Sequence, residues 1–171
     1  NLYACPMSNL LPVGDFKWGY PAEEGDMSDN DCKMIENLGH VPHYLPCFLE
    51  VDVEIPRHLH EYLSQYCPMP EQMNFPKGIR KLVGTLYDKK NYKIHYRALN
   101  HYVELGLVIK KVHRIVTFRE EPWMASWIEF NTKKRSAATT DFERNFYKLM
   151  NLAKFGRSME NVRGRSNVRL S

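Results

Sequence analysis

Hydrophobic and acidic residues alternate regularly along residues 44–55, "YLPCFLEVDVEI". The apolar side chains fall on one face of an extended segment and the acidic ones on the other: Cys47, Leu49, Val51, Val53 and Ile55 against Glu50, Asp52 and Glu54. A period of two is typical of a β-strand with one buried face. Pro56 ends the pattern, because proline cannot donate a hydrogen bond to a neighbouring strand. The sequence therefore predicts a half-buried strand here.

The segments on either side of this strand have weaker patterns. Residues 1–21 combine a short apolar stretch with Leu-Pro-Val-Gly and Gly-Tyr-Pro sequences, which predict turns. Residues 22–33 are acidic and loop-like, and we expect a short helix over 29–37. Three prolines interrupt residues 57–76, so we expect this segment to be mostly loop.

The second half of the chain alternates between strand and helix patterns. The predicted elements are a β-hairpin with strands at 81–87 and 92–96, a helix that stops at Gly106, a strand at 108–118, a helix with Pro122 in its first turn, and a last helix from Asp141 to about Phe155 that stops at Gly156. Glycine after a helix and proline in its first turn are typical boundary residues. This order of elements predicts an α+β fold.

Charge is distributed unevenly along the 171 residues, although the net charge is only +4. Residues 1–60 contain ten acidic and three basic side chains, whereas residues 131–171 contain ten basic and three acidic ones. A basic C-terminal quarter indicates an anionic partner. A solvated basic surface would give the same charge count, and both interpretations stay open at this point.

Composition and cysteine usage limit the class of protein. Hydrophobic residues make up 43% of the chain, as in a globular protein. We find neither a signal-peptide pattern nor an apolar run near the roughly 18 residues that cross a bilayer, so we expect no secretion and no membrane partner. The first residue is Asn1 rather than Met, which leads us to expect a fragment or a processed piece.

The four cysteines are expected to be free thiols: Cys5, Cys32, Cys47 and Cys67. A zinc site is an alternative, with Cys32, His40, His43 and Cys47 as ligands and His58 and His60 nearby. The closely spaced ligand pairs that are typical of zinc sites are missing from this set.

The last predicted helix has one face that suits an anionic, aromatic ligand. Arg144, Lys148, Asn151 and Phe155 are spaced by four, three and four residues and therefore share this face. The segment 131–135, "NTKKR", adds three cations just before the helix. Two basic segments joined by a short turn can close on a triphosphate, and an aromatic ring can stack on a base. The alternative is a helical hairpin that is basic only for solubility.

The stretch "KLMNLAKFGR" resembles motif B of the family B DNA polymerases, and "NLYACPMSNLLPVGDFKW" resembles the end of their motif A. The segments 47–71, 81–118 and 127–150 resemble the protein-primed subgroup, which includes phage, adenovirus and Polinton/Maverick polymerases. The resemblance to the Polinton type is the strongest and extends over nearly the whole chain. It implies a partial palm, an inserted region rich in strands and hairpins, and a helical fingers hairpin. The implied domains are 1–43 for the end of motif A with its loop, 44–116 for the terminal-protein-region-like insertion, and 117–171 for the fingers.

The resemblance also implies roles for individual residues. Tyr3 would pack under the deoxyribose and exclude a 2′-hydroxyl, and Lys148 would contact the triphosphate. Residues expected to bind the deoxynucleotide are Tyr3, Arg135, Lys148, Asn151 and Phe155. Residues expected to contact DNA are Lys154, Gly156, Arg157 and Arg163. Expected partners are template and primer DNA, deoxynucleoside triphosphates and a terminal-protein primer, in a nucleus or with a virus or mobile element.

Two departures from the family pattern affect the expected activity. Leu152 and Ala153 stand where the family has Asn-Ser, and apolar side chains cannot replace those hydrogen bonds. The metal-binding Asp of motif A and the whole of motif C are missing from the sequence, so no catalytic or metal-binding residue is expected here. Mg²⁺ would be the cofactor of the full-length enzyme, held by carboxylates outside these residues.

Two functions follow from these observations. The first is a fragment of a protein-primed DNA-directed DNA polymerase, which would bind deoxynucleotide and template for nucleotidyl transfer but be inactive alone. The alternative is a catalytically dead, nucleic-acid-binding relic of a transposon or viral polymerase.

Overall fold

The computed structural model describes residues 3–19 and 27–166. Its helices and strands, in chain order, are α1 (Ala4–Met7), β1 (Leu11–Gly19), α2 (Met27–Leu38), β2 (Cys47–Glu54), α3 (His60–Leu63), β3 (Glu71–Phe75), β4 (Ile79–Val83), β5 (Lys89–His95), α4 (Tyr96–Glu104), β6 (Val108–Glu121), α5 (Ala125–Ala137) and α6 (Asp141–Ser158). Short 3₁₀ turns lie at Arg57–Leu59, Pro76–Gly78 and Val162–Gly164. The predicted α+β fold class is confirmed.

A four-stranded sheet has the order β1-β6-β2-β5, and β3 pairs with β4 in a separate two-stranded sheet. The central strand β2 is antiparallel to both of its neighbours, and Leu49 lies between Ile94 and Ile115. Every second side chain of β2, from Cys47 to Val53, is at most 2% exposed. The half-buried strand predicted from the alternating pattern is therefore confirmed.

The main hydrophobic core lies on the apolar face of this sheet. Ile35 of α2 and Leu99 of α4 are fully buried in it, next to the apolar side chains on the buried face of β2. Gly106 follows α4 with φ +102°, and a Cβ there would lie 2.8 Å from Cδ1 of Leu59. The predicted helix end at this glycine is therefore confirmed, and the following strand, β6, is also found.

The predicted hairpin between residues 81–87 and 92–96 is wrong. Strand β4 pairs with β3, whereas β5 pairs with β2. Lys77 and Gly78 have φ values of 68° and 72° and form the tight turn that joins β3 to β4. Strand β5 pairs with β2 rather than with β4, because pairing with β2 buries Ile94 in the core beside Leu49.

Three further expectations differ from the structure. Residues 1–21 contain α1 and β1 rather than turns alone, and residues 57–76 contain α3 and β3 rather than mostly loop. Pairing with the distant strand β6 orders β1, which a local pattern does not reveal, whereas β3 is ordered by the short hairpin that it forms with β4. Helix α6 continues through Gly156 to Ser158, because a glycine lowers helix stability by only about 1 kcal/mol and does not by itself end a helix.

Two helix starts also differ from the expected positions. Helix α2 is found and begins at Met27, slightly before the expected 29–37. Helix α5 begins at Ala125, whose backbone N–H donates to the carbonyl of Pro122. The proline therefore lies in the turn before the helix rather than inside its first turn.

The chain divides into two compact units. One comprises the described parts of Asn1–Val13 and Glu120–Ser171, and the other comprises those of Gly14–Arg119. The first unit contains α1, α5 and α6 around a small core of Met7, Met124 and Ile128. The division at residues 43 and 116 implied by the sequence resemblance stays a prediction. Within the described residues, we find no helix that is both long and apolar enough to cross a membrane.

Candidate functional site

Helix α6 carries most of the candidate site residues, and its start is well defined. The Thr140 hydroxyl accepts a hydrogen bond from the Glu143 backbone N–H at 3.2 Å, and the Glu143 carboxylate accepts one from the Thr140 N–H. This reciprocal capping box satisfies donors that would otherwise be unpaired at the helix start. The helix packs against α5 and α1 within the same unit.

A pocket of about 360 Å³ opens on this helical unit. It is lined by Ala4 of α1, by Thr132, Arg135 and Ser136 of α5, and by Arg144 and Asn151 of α6. Arg144 is half exposed and makes an ion pair with Asp141 at 3.2 Å, whereas Arg135 has no ion-pair partner among the described residues. The lining therefore contains two guanidinium groups and the Ser136 hydroxyl, which suit a phosphate-bearing anion, whereas the Thr132 hydroxyl already donates to the Ile128 carbonyl at 2.7 Å.

Asn151 is the most informative side chain of the pocket. It is 5% exposed, and its Oδ1 atom is buried without a hydrogen-bond partner in the described part of the chain. An unpaired buried acceptor costs about 1–3 kcal/mol, so such groups are uncommon in folded proteins. A water molecule or a shift of the side chain would satisfy this atom, which has almost no accessible surface of its own.

Two aromatic rings from opposite ends of the sequence meet in the same unit. The ring centroids of Tyr3 and Phe155 lie 4.4 Å apart with an interplanar angle of 33°. Tyr3 is 47% exposed and directly precedes Ala4, which lines the pocket. The pair leaves an accessible aromatic surface next to a pocket residue, and such a surface can contact a sugar or a base.

The remaining predicted site residues lie outside the pocket lining. Lys148 and Gly156 are exposed on α6, and Arg163 is exposed in the last 3₁₀ turn. The ammonium group of Lys154 lies 5.6 Å above the Trp127 ring. Arg157 forms an ion pair with Glu160, so part of its charge is already neutralised.

Four lining residues are absent from those expected to bind deoxynucleotide or DNA: Ala4, Thr132, Ser136 and Arg144. Arg144 nevertheless belongs to the helix face identified by spacing, since it is seven positions, or two helical turns, before Asn151. Thr132 and Ser136 are one turn apart on α5, but nothing in their local sequence distinguishes them from other exposed hydroxyl residues.

Within the unit of residues 14–119, each acidic side chain of β2 is paired with a basic side chain. Glu50 pairs with Arg114, Asp52 with His113 at 2.9 Å, and Glu54 with Lys110 at 2.8 Å. The hydrogen bond from Arg114 holds the pKa of Glu50 below its ordinary value of 4.5. The hydrogen bond to Glu54 likewise raises the pKa of Lys110 above 10.5.

Metal binding has no support within residues 3–19 and 27–166. No three His, Cys, Asp or Glu side chains of this part of the chain come together in a geometry that could hold a metal ion. Cys32 and Cys47 are buried in the hydrophobic core, and His60 lies 3.0 Å from the carbonyl oxygen of Ile55. The described residues therefore fit neither the zinc alternative nor a magnesium centre. None of the four cysteines forms a disulfide bond.

Comparisons with known proteins give one structural similarity. No family model matches the sequence, and no curated protein matches it. The fold is similar to a solved structure described as "Phi29 DNA Polymerase, orthorhombic crystal form", with a TM-score of 0.56 and 14% sequence identity. The similarity covers 94% of this chain and 25% of that chain. The chain thus has a fold similar to about a quarter of a DNA polymerase, and at this identity the similarity concerns the fold alone.

Proposed function

We propose that this chain is a polymerase-like fragment that binds a deoxynucleoside triphosphate in the α5–α6 pocket and DNA through nearby basic side chains. The observation that carries the proposal is the pocket itself, where Arg135 and Arg144 line the same cavity as the buried side chain of Asn151. The polymerase-like fold and the motif B resemblance agree with this assignment.

Different side chains in and near the pocket suit different parts of a nucleotide. Arg135 and Arg144 can each donate paired hydrogen bonds to phosphate oxygens, and Lys148 can add a point charge from one turn along α6. The Asn151 amide lines the same cavity and can pair with a hydroxyl group or an ordered water molecule. The exposed ring of Tyr3, which contacts the Phe155 ring at a tilt, would cover the sugar.

The DNA-binding part of the proposal rests on the other basic residues of the same unit. Lys154, Arg157 and Arg163 would contact backbone phosphates, and Gly156 would allow close approach, since nothing lies within 4 Å of the Cβ position there. Arg157 would contribute less than its formal charge, because Glu160 pairs with it. Such contacts give an affinity that falls steeply with salt.

Chemical transfer is proposed only for a longer protein that contains this chain. In polymerases, Mg²⁺ activates the attacking hydroxyl and stabilises the phosphoryl group, and carboxylates hold the ions. The described residues provide no such cluster, so we derive no catalytic step from them. Protein priming, the Polinton/Maverick assignment, and a nuclear, viral or mobile-element location are proposals that rest on the sequence resemblance.

Titration calorimetry of the 171-residue chain with dATP, with and without Mg²⁺, tests the nucleotide site. We expect Arg135→Ala and Arg144→Ala each to weaken binding by about tenfold, since a hydrogen bond to a charged group contributes about 1.5–3 kcal/mol. Lys133→Ala is the matched control, because this residue lies on α5 but pairs with Glu129 at 2.6 Å.

Two outcomes would contradict the nucleotide assignment: no detectable dATP binding by the unmodified chain, or equal losses in the arginine variants and the control. The substitution of Leu152 and Ala153 for the family's polar pair favours the alternative function, a relic that binds nucleic acid alone. DNA binding without any dATP binding would support that alternative.

A further inference from the structure

Strands β3 and β4 form a two-stranded arm, residues 71–83, that is exposed along nearly all of its length. Only Glu71 and Val83, at its base, are partly covered. Leu82 is 61% exposed, and Lys77 and Gly78 form the tip with left-handed backbone conformations. A hairpin that packs on so little is marginally stable by itself, which favours a role in binding over a role in the core.

The base of the arm is fixed firmly to its unit. Lys89 is fully buried, and its Nζ atom donates to Glu71 Oε2 at 2.8 Å and to Thr85 Oγ1 at 2.7 Å. The Tyr92 hydroxyl donates to the carbonyl of Pro70 at 3.0 Å. A Cβ on Gly84 would lie 2.8 Å from Cβ of Cys67, so the backbone that follows the arm packs closely against Cys67. The arm therefore extends from a rigid anchor.

The register gives the arm two chemically different faces. Gln72 lies opposite Leu82 and Asn74 opposite Arg80, so one face presents two amides, a guanidinium and one apolar side chain. The other face carries mostly apolar side chains and one lysine: Met73, Phe75, Ile79 and Lys81. Met73, Phe75 and Ile79 are 38–46% exposed and hence more covered than Leu82. The polar face is thus the more accessible one.

The charge of the arm is complementary to nucleic acid. Lys77, Arg80 and Lys81 are exposed, and none of them has an ion-pair partner in the part of the chain that the structure describes. The acidic residue of the arm, Glu71, is already paired with the buried Lys89. The arm consequently presents three uncompensated positive charges within a few residues of its tip.

We propose that the β3–β4 arm enters the major groove of duplex DNA with the Gln72, Asn74 and Arg80 face toward the base edges. The major groove is about 12 Å wide and admits a two-stranded ribbon, while a five-residue strand is about 17 Å long. Arginine is suited to guanine and amide side chains to adenine in this groove. Lys77 and Lys81 contact the flanking phosphates. The inference extends the DNA-binding part of the proposed function but uses residues outside the nucleotide pocket.

Fluorescence anisotropy with a 20-base-pair duplex and a 20-nucleotide single strand, each over a range of salt concentrations, tests the phosphate contacts. The double variant Lys77→Ala/Lys81→Ala removes two charges from the arm. We expect the slope of log affinity against log salt for the duplex to decrease by about 2, since each phosphate contact contributes about 0.9. Lys93→Ala/Lys111→Ala is the matched control, because it removes the same charge from exposed positions on β5 and β6.

A second variant, Gln72→Ala/Asn74→Ala, tests the groove contacts without changing the charge. We expect duplex affinity to decrease by about thirtyfold with an unchanged salt slope, because each of the two lost base-edge contacts contributes at least about fivefold. Single-strand affinity should stay the same, since a single strand has no groove. All four arm positions are exposed, so circular dichroism should show the same fold and melting temperature for these variants.

Three results would overturn the arm proposal. They are a lack of duplex binding by the unmodified chain, equal effects of the arm and control lysine variants, and equal losses for duplex and single strand in the amide variant. The arm variants should retain dATP binding, and Arg135→Ala should retain the arm-dependent duplex binding. Failure of the nucleotide site and failure of the arm therefore give different results.

Discussion

Asp52 of β2 shows how the surroundings of a single side chain change its pKa. Its Oδ1 atom lies 2.9 Å from Nε2 of His113 and accepts a hydrogen bond from the Asn91 backbone N–H at 2.8 Å. Burial raises the pKa of Asp52, but these hydrogen bonds and the charge of His113 more than offset that effect. Its pKa is therefore below the ordinary value of 3.8, which means that the folded state favours the ionised carboxylate.

The lowered pKa of Asp52 predicts a pH-dependent stability. A carboxylate with a lowered folded-state pKa stabilises the protein fully above its unfolded pKa, and the contribution is lost as the pH falls through the folded-state value. Asp52→Asn should therefore reduce the free energy of unfolding at pH 5–6, and the difference from the unmodified chain should shrink toward pH 3. Urea unfolding at several pH values measures this.

Glu104→Gln serves as the control for Asp52, since this glutamate is 77% exposed at the end of α4 and its closest basic side chain among the described ion pairs, His101, lies 3.9 Å away. It should change stability little at any pH. A difference between Asp52→Asn and the unmodified chain that stays constant from pH 3 to pH 6 would contradict the prediction.

At the same scale, the site residues show what local spacing can reveal. Arg135 and Asn151 are candidates from the sequence, and both line the pocket. Lys148 shares the helical face of Asn151 on α6 but is absent from the lining, while Arg144, on the same face, is present. The period identifies the face of α6, but only the packing of α5 and α1 against that face decides which of its residues surround a cavity.

At the scale of elements, α6 is the support of the candidate site. Its capping box at Thr140 and Glu143 orders the turn that carries Arg144, and Asn151 and Phe155 follow on later turns. Little apolar surface of α6 is buried, since Phe142 is 78% and Leu149 62% exposed. Local interactions therefore contribute a large share of the stability of this helix.

Removing the cap should weaken the helix and, with it, the nucleotide site. We expect Thr140→Ala to reduce the free energy of unfolding by about 1 kcal/mol, which is typical of losing an N-cap side chain. Thermal unfolding followed by circular dichroism measures the change. Thr139→Ala is the control, because the Thr139 side chain does not cap the helix. Equal destabilisation by both substitutions would contradict this role of Thr140.

At the scale of the whole molecule, the two units differ in the size of their cores. The unit of residues 14–119 buries a continuous cluster that extends from Cys32 to Ile115. Among its described residues, the other unit has three buried core residues, Met7, Met124 and Ile128, with four partly buried neighbours. Since burial of apolar area is the main stabilising term, the free energy of opening should differ between the units.

Hydrogen exchange followed by mass spectrometry should show this difference. We expect the slowest amides in β2, β6 and α4, and faster exchange in α5 and α6, because fewer apolar side chains cover those helices. Adding dATP should slow exchange in α5 and α6 selectively if the proposed pocket is occupied. Equal protection of β2 and α6 in the free chain would contradict the prediction.

The sequence alone determined the elements whose signal is local. The alternation of residues 47–55 specified β2, the glycine at 106 marked the end of α4, and helical spacing identified the polar face of α6. Periodicity and boundary residues act within a few positions of the chain, so they can be recognised without knowing the fold.

Only the tertiary structure decided the partners of the strands and the surroundings of each side chain. Strand β5 pairs with β2 rather than with β4, which leaves β3 and β4 as an exposed arm, and Lys89 is buried against Glu71. These outcomes depend on which apolar faces from distant segments bury one another. No local pattern contains that information, because the free energy of burial belongs to the assembled core.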